Sequence, residues 1–204
     1  MSANITIEKL GYRYNDKTPY IMRDLSVDSL TGKNILVLGD NGSGKSTFGK
    51  LLTGILQPTE GRIMINGKDV SSLPPKKRIL YAYYINQLNQ LHFVGNTLRQ
   101  EISFIEKVSG KKADYRKLAD FRLPEDPATN PFELLTNQAW RLSLYIAAVV
   151  DPYILFIDEI PSSANSINNE CLTMLLESRA VRGLVTFIAY QRAIPVKTDL
   201  TIEF

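Results

Sequence analysis

Short apolar blocks alternate with helix-length segments along the 204 residues. Asn4 to Glu8 switches between apolar and polar at every residue, which predicts a strand, and Tyr12-Arg13-Tyr14 leads from it into a polar turn at Asn15-Asp16-Lys17. Asn34 to Gly39 is continuously apolar after its first residue and reads as a short buried strand; Ser46 to Leu56 reads as a helix stopping before Gln57-Pro58. A further strand is predicted at Arg62 to Asn66, closed by the tight-turn pair Asn66-Gly67. From about Gln87 to Glu133 the pattern is helical and more polar, broken near its end by Pro124, Pro127 and Pro131. A helix over Arg141 to Val150, a buried strand over Tyr153 to Ile157, a helix over Asn168 to Ser178 and a strand over Leu184 to Ala189 complete the series. Strands alternating with helices predict an α/β fold with a mainly parallel sheet, an antiparallel β subdomain near the start and an inserted helical lobe.

Composition narrows the class. Hydrophobic residues at 44% and charged residues at 22% exclude a disordered or collagen-like chain. The most apolar stretch, Leu142 to Ile157, is interrupted by Asp151-Pro152 and falls short of the ~20 residues of a membrane helix, so any membrane role is expected to come from a partner. The start of the chain has no basic segment followed by an apolar block, so no secretory signal is expected. The net charge of +3 and the short cluster Lys76-Lys77-Arg78, read as a solvated surface, argue against a nucleic-acid partner. The single cysteine, Cys171, forms neither an internal disulfide nor a multi-cysteine metal site; a buried thiol in a reducing cytosol is expected.

The strongest chemical signal is Gly39-Asp40-Asn41-Gly42-Ser43-Gly44-Lys45-Ser46, which fits G-x-x-x-x-G-K-[ST] and lies between a predicted strand and a predicted helix. Its glycines let successive backbone N–H groups turn inward around phosphate oxygens, and the following helix adds partial positive charge. Lys45 is expected to reach the β- and γ-phosphates and Ser46 to place its hydroxyl on Mg2+, a hard cation that prefers oxygen. A second signal is the apolar run Ile154-Leu155-Phe156-Ile157 followed by Asp158-Glu159: a carboxylate at the end of a parallel strand for the Mg2+ shell, and beside it one that orients or deprotonates the attacking water.

With these motifs in their order, the chain resembles the ATP-binding cassette family from Ile5 to about Leu200, including Leu51-Leu52-Thr53-Gly54, Pro58 and Gly61 after the phosphate loop. The resemblance implies a single cassette, with a nucleotide-binding core and β subdomain at 1–86 and 150–204 and a helical subdomain at about 87–149. It implies ATP and Mg2+ as ligands, held by Gly39, Asn41, Gly42, Ser43, Gly44, Lys45, Ser46 and Thr47. It also implies an adenine-stacking aromatic, Tyr14 or, with a shifted register, Tyr12; a glutamine loop at Gln87 that senses the γ-phosphate through Mg2+; and Glu159, Gln87 and Lys45 as the catalytic set. Thr97-Leu98-Arg99-Gln100-Glu101-Ile102-Ser103-Phe104 and Asn130-Pro131-Phe132-Glu133-Leu134 resemble segments of its energy-coupling-factor branch, though small-peptide exporter ATPases share much of the phosphate-loop region.

The chain also departs from that pattern. The L-S-G-G-Q signature corresponds to Leu134-Leu135-Thr136-Asn137-Gln138, and no glycine occurs between Gly110 and Gly183. The switch histidine falls at Tyr190, while the single histidine, His92, lies beside the glutamine loop; the loop after Glu159 ends in Asn165 rather than aspartate, and its proline is shifted to Pro161. The resemblance therefore implies an ABC transporter ATPase at the inner face of the cell membrane, working with transmembrane permease subunits and a second cassette as heterodimer or homodimer. A non-catalytic ATP-binding regulatory module of the same fold is the alternative. A DNA-repair or translation ATPase would need a coiled-coil insertion or tandem cassette, and neither is present.

Overall fold

The computed structural model describes residues 2–86, 93–161, 165–192 and 194–204. Among these residues two sheets are formed. The antiparallel sheet has the order β2-β1-β4-β5, from β1 (Ile5–Tyr12), β2 (Met22–Leu30), β4 (Glu60–Ile65) and β5 (Lys68–Asp69). The second has the order β6-β7-β8-β3-β9, from β3 (Asn34–Leu38), β6 (Ala82–Ile85), β7 (Ile154–Asp158), β8 (Val185–Tyr190) and β9 (Leu200–Glu203), and its pairings are all parallel. The β4–β5 hairpin turns at Asn66-Gly67 with φ of 50° and 75°, the twist-matched turn expected for that pair.

β7 is buried on both faces, and its side chains divide by alternation. Ile154 and Phe156 join a cluster with Ile35, Val37, Phe187, Ile5, Ile7 and Phe48, the last on helix α1 (Lys45–Leu52), so α1 is sandwiched between the two sheets. Leu155 and Ile157 face the opposite way, into a cluster with α3 (Leu98–Ser109), α4 (Thr136–Val150) and α5 (Ser166–Val181) through Ile102, Trp140 and Leu172. The parallel sheet is thereby covered on both sides.

Several expected boundaries shift for identifiable reasons. α1 ends at Leu52 rather than running to Leu56, because the Thr53 hydroxyl folds back onto the Gly49 carbonyl at 2.8 Å and Gly54 takes φ 68°. α4 starts at Thr136, ahead of the expected Arg141. Of the segment expected to be helical, α3 is the one α-helix among the described residues, the remainder including short 3-10 turns at Tyr115–Leu118 and Pro131–Glu133. The cluster Lys76-Lys77-Arg78 is not simply a solvated surface. It lies on helix α2 (Pro75–Tyr81), and Arg78 donates to the Gly54 and Leu73 carbonyls at 2.7 and 3.1 Å, tying α2 to the end of α1.

Buried charge holds the elements in place. Arg179 on α5 is fully buried and donates to Thr186 Oγ1 at 2.9 Å, to the Pro152 carbonyl at 3.0 Å and to the Val185 carbonyl at 2.9 Å; burial lowers its pKa to about 9, still protonated at neutral pH. Glu101 on α3 is also buried and accepts the backbone N–H groups of Val94 and Gly95, both at 2.8 Å.

Candidate functional site

The loop from Gly39 to Gly44 leaves β3 and enters α1 at the carboxyl end of the parallel sheet, where open α/β folds place their ligands. Gly44 has φ 112°, a conformation that a side chain strongly disfavours, and it turns the chain directly into the first helical residue, Lys45. The Lys45 ammonium is nearly buried and donates to the carbonyls of Gly39 and Asp40, both at 2.7 Å, so it lies across the loop. The Ser43 hydroxyl is buried with no hydrogen-bond partner among the described residues, a donor inside the loop that fits an anionic ligand. Asn41 is exposed at the rim.

Strand alternation decides which side chains reach this loop. Asp158 follows Phe156 in the row facing α1, and Tyr84 occupies the same row on β6, directly beside Phe156 in the sheet register. The Tyr84 ring stacks on Phe156 with centroids 5.4 Å apart and planes 2° from parallel, and its hydroxyl donates to Asp158 Oδ2. The Ser46 side chain lies near the same phenol, so Ser46 and Asp158, far apart in sequence, are brought to the two sides of Tyr84. Burial, and then the bond to Asp158, push the Tyr84 phenol well above the ordinary tyrosine range; it is a neutral donor at physiological pH. Two hard oxygen donors side by side form a set suited to Mg2+.

Glu159 is half-buried and sits at φ 70°, a left-handed conformation that is costly for a residue with a Cβ. Its N–H donates to the Ala189 carbonyl at 3.1 Å, anchoring the turn against β8.

The two candidate adenine-stacking tyrosines separate clearly. Tyr12 is buried in the core between the sheets, whereas Tyr14 is 59% exposed and its hydroxyl shares a 3.1 Å hydrogen bond with Thr47 Oγ1 on α1. Tyr14 is therefore the ring available to a base at the side of the loop. Alternation likewise separates Tyr190 from Gln191. Tyr190 packs with Ile188 toward the helical side, while Gln191 donates from Nε2 to Asn41 Oδ1 at 2.6 Å. The side chain from the end of β8 that contacts the loop is Gln191, a residue the motif reading passed over. Tyr84 was missed too; its strand register with Phe156 is the signal that finds it.

At the signature position Leu134 is buried, while Leu135 is 72% exposed at the start of α4, its N–H held by Gln138 Oε1 at 3.1 Å; Thr136 opens the helix. Asn137 is turned inward: its Oδ1 accepts from Asn168 on α5 at 2.9 Å, and Asn168 in turn accepts from Arg141 at 2.8 Å. Asn165 caps α5 by accepting from the Asn168 N–H at 3.1 Å. Gln87 and His92 lie outside the described residues, so the expected glutamine loop has no geometry here.

The profile of the family described as ABC transporter matches residues 22–162. The chain is 29% identical over 182 residues to an ABC transporter ATP-binding protein of Clostridium tetani, covering 87% of this chain and 41% of that protein. It is 27% identical over 182 residues to the energy-coupling factor transporter ATP-binding protein EcfA1 of Oceanobacillus iheyensis, covering 85% and 64%. The chain thus spans less than two thirds of the length of these relatives. Its fold is that of CbiO1 from Clostridium perfringens, part of the ABC transporter complex CbiONQ, at a TM-score of 0.74 with 22% identity over 94% of this chain and 80% of that one. A profile match across most of the chain, on a parallel sheet with the loop and carboxylates at its carboxyl end, makes this protein a member of the ABC transporter family.

Proposed function

We propose that the chain is the nucleotide-binding subunit of an ABC transporter, binding and hydrolysing Mg-ATP to drive small-molecule transport through transmembrane partner subunits at the inner face of the membrane. The observation that carries the reading is the loop at the carboxyl end of the parallel sheet, with Lys45 stretched across it and Asp158 held beside it by Tyr84. The names of relatives such as EcfA1 support the transport role. Among the described residues no helix is long and apolar enough to cross a membrane.

In this reading the backbone of residues 42–47 and the start of α1 hold the phosphates, and Lys45 exchanges its carbonyl partners for phosphate oxygens. Tyr14 offers its exposed face to adenine. Ser46 and Asp158 would hold the metal, which would supply positive charge to the phosphates. Glu159, fixed by its bond to β8, orients and deprotonates the attacking water. Asn137 is engaged with its own α5 and Leu135 projects where the family signature carries a serine, so this chain has little to offer a nucleotide held by a second cassette. We therefore place it as the atypical half of a heterodimer.

The test is Mg-ATP turnover by the purified chain, alone and with a cassette carrying an intact signature, with Lys45→Ala and Glu159→Gln as controls. Slow turnover alone, raised by the partner and abolished by either substitution, supports the reading. Rapid turnover by the chain alone removes the heterodimer. Nucleotide binding without turnover in any pairing leaves the second reading, a non-catalytic ATP-binding module, which the altered signature favours.

A further inference from the structure

We propose that Tyr84 is a positioning residue of the metal site: its hydroxyl, fixed by the ring stack on Phe156, orients the Asp158 carboxylate toward a divalent cation. The inference rests on the nucleotide-binding reading above and adds to it a residue outside both sequence motifs.

The argument is one of rigidity. Tyr84 is 9% exposed and its ring lies flat on Phe156, which is fully buried and meets Phe48 edge-on at 6.5 Å, Phe48 in turn meeting Phe187 at 5.9 Å. A phenol packed into that row does not swing away when a ligand arrives. Its hydroxyl has one proton to donate, and Asp158 Oδ2 takes it. With that oxygen engaged, the carboxylate is held in one rotation and presents its remaining lone pairs in a fixed direction. Ser46, on the first turn of α1, lies near the same phenol, so the carboxylate is held toward the start of α1 by a group carried on a third element, β6. Hydrogen-bond partners of metal ligands tune affinity in this way, and their loss typically weakens metal binding about 10- to 100-fold.

The experiment uses the full chain in the Glu159→Gln background, so that bound ATP persists. ATP affinity is measured by titration calorimetry with EDTA and again with Mn2+, and Mn2+ uptake is followed by electron paramagnetic resonance. The ratio of the two affinities is the metal-dependent gain. Tyr84→Phe keeps the ring and its stack. The expected result is a gain reduced about 10-fold with metal-free ATP affinity unchanged. Phe156→Leu, which keeps the hydroxyl and loses the stack, is expected to reduce the gain in the same direction and serves if Tyr84→Phe does not fold. A gain that is unchanged or larger, or a loss shared equally by metal-free and metal-loaded binding, overturns the proposal. Absence of ATP binding by the Glu159→Gln parent would instead overturn the nucleotide-binding reading, a separate outcome.

Discussion

Gly49 sits in the middle of α1, where alanine is ordinarily the better helix former by about 1 kcal/mol. The packing of the site reverses that preference. A Cβ at position 49 would meet three atoms of the Phe156 ring at 2.3, 2.4 and 2.6 Å. Ordinary carbon contacts are about 3.5–4.0 Å, so ring and helix must separate by roughly 1 Å. The ring cannot yield cheaply, because Phe156 is fully buried with Tyr84 stacked on it and Phe48 at its edge. Overpacking of this kind costs about 1–3 kcal/mol, occasionally more, and the shallow end of that range is unrealistic for a rigid aromatic. Setting about 3 kcal/mol of strain against about 1 kcal/mol of helix propensity leaves Gly49→Ala destabilised by about 2 kcal/mol, a fall in melting midpoint of roughly 5 °C for a chain of this size. Scanning calorimetry of the purified variant beside the parent checks it. A midpoint equal to or above the parent's would refute the reasoning, since it would mean that the ring moves freely and that the aromatic row is not rigid.

Further expected outcomes follow the same logic. Tyr14→Ala should weaken ATP binding about 10-fold with little change in stability, base stacking being worth about 1–3 kcal/mol, while Tyr12→Ala should do the reverse; fluorescent-nucleotide titration and thermal melts of both variants check the pair. Arg179→Met strips three buried acceptors of their donor and should cost about 3 kcal/mol or more, read from urea unfolding. Cys171 is buried, and burial is the main cause raising its thiol above the ordinary value of 9.0. A raised folded-state pKa means a stabilising term complete below 9.0 and lost as pH rises through the folded value, and it keeps the native thiol protonated; iodoacetamide should label it slowly at about pH 8 in the native protein and rapidly in urea.

What the sequence disclosed and what it withheld follow from burial. β3, β7 and β8 are covered on both faces, so their apolar runs read directly as strands, and the loop and carboxylate motifs lie at the ends of two of them. β2 escaped notice because it is an edge strand with exposed Arg23, Asp24 and Asp28, and left-handed residues at Asp24 and Ser29 break its alternation. β9 is a short, mostly exposed edge, and α2, beginning at Pro75, buries no residue, so neither carries a strong periodic signal. Within the site, Lys45, Ser46 and Asp158 were legible because their chemistry demands a fixed spacing from the loop and strand end. Tyr84 and Gln191 were not, because what brings them to the loop is sheet register and alternation.

The position of β3 between β8 and β9 also bears on how the protein is made. The strand that launches the phosphate loop emerges from the ribosome early, yet both of its hydrogen-bonding neighbours, Val185–Tyr190 and Leu200–Glu203, are translated about 150 residues later, at synthesis rates of roughly 5–20 residues per second. Until then β3 is an apolar segment without a sheet, and Gly39, whose packing partner is Phe204, is without its support. Until those two strands are made, the strand that launches the phosphate loop has no sheet partner, and its apolar edge stays open to chaperones or to aggregation.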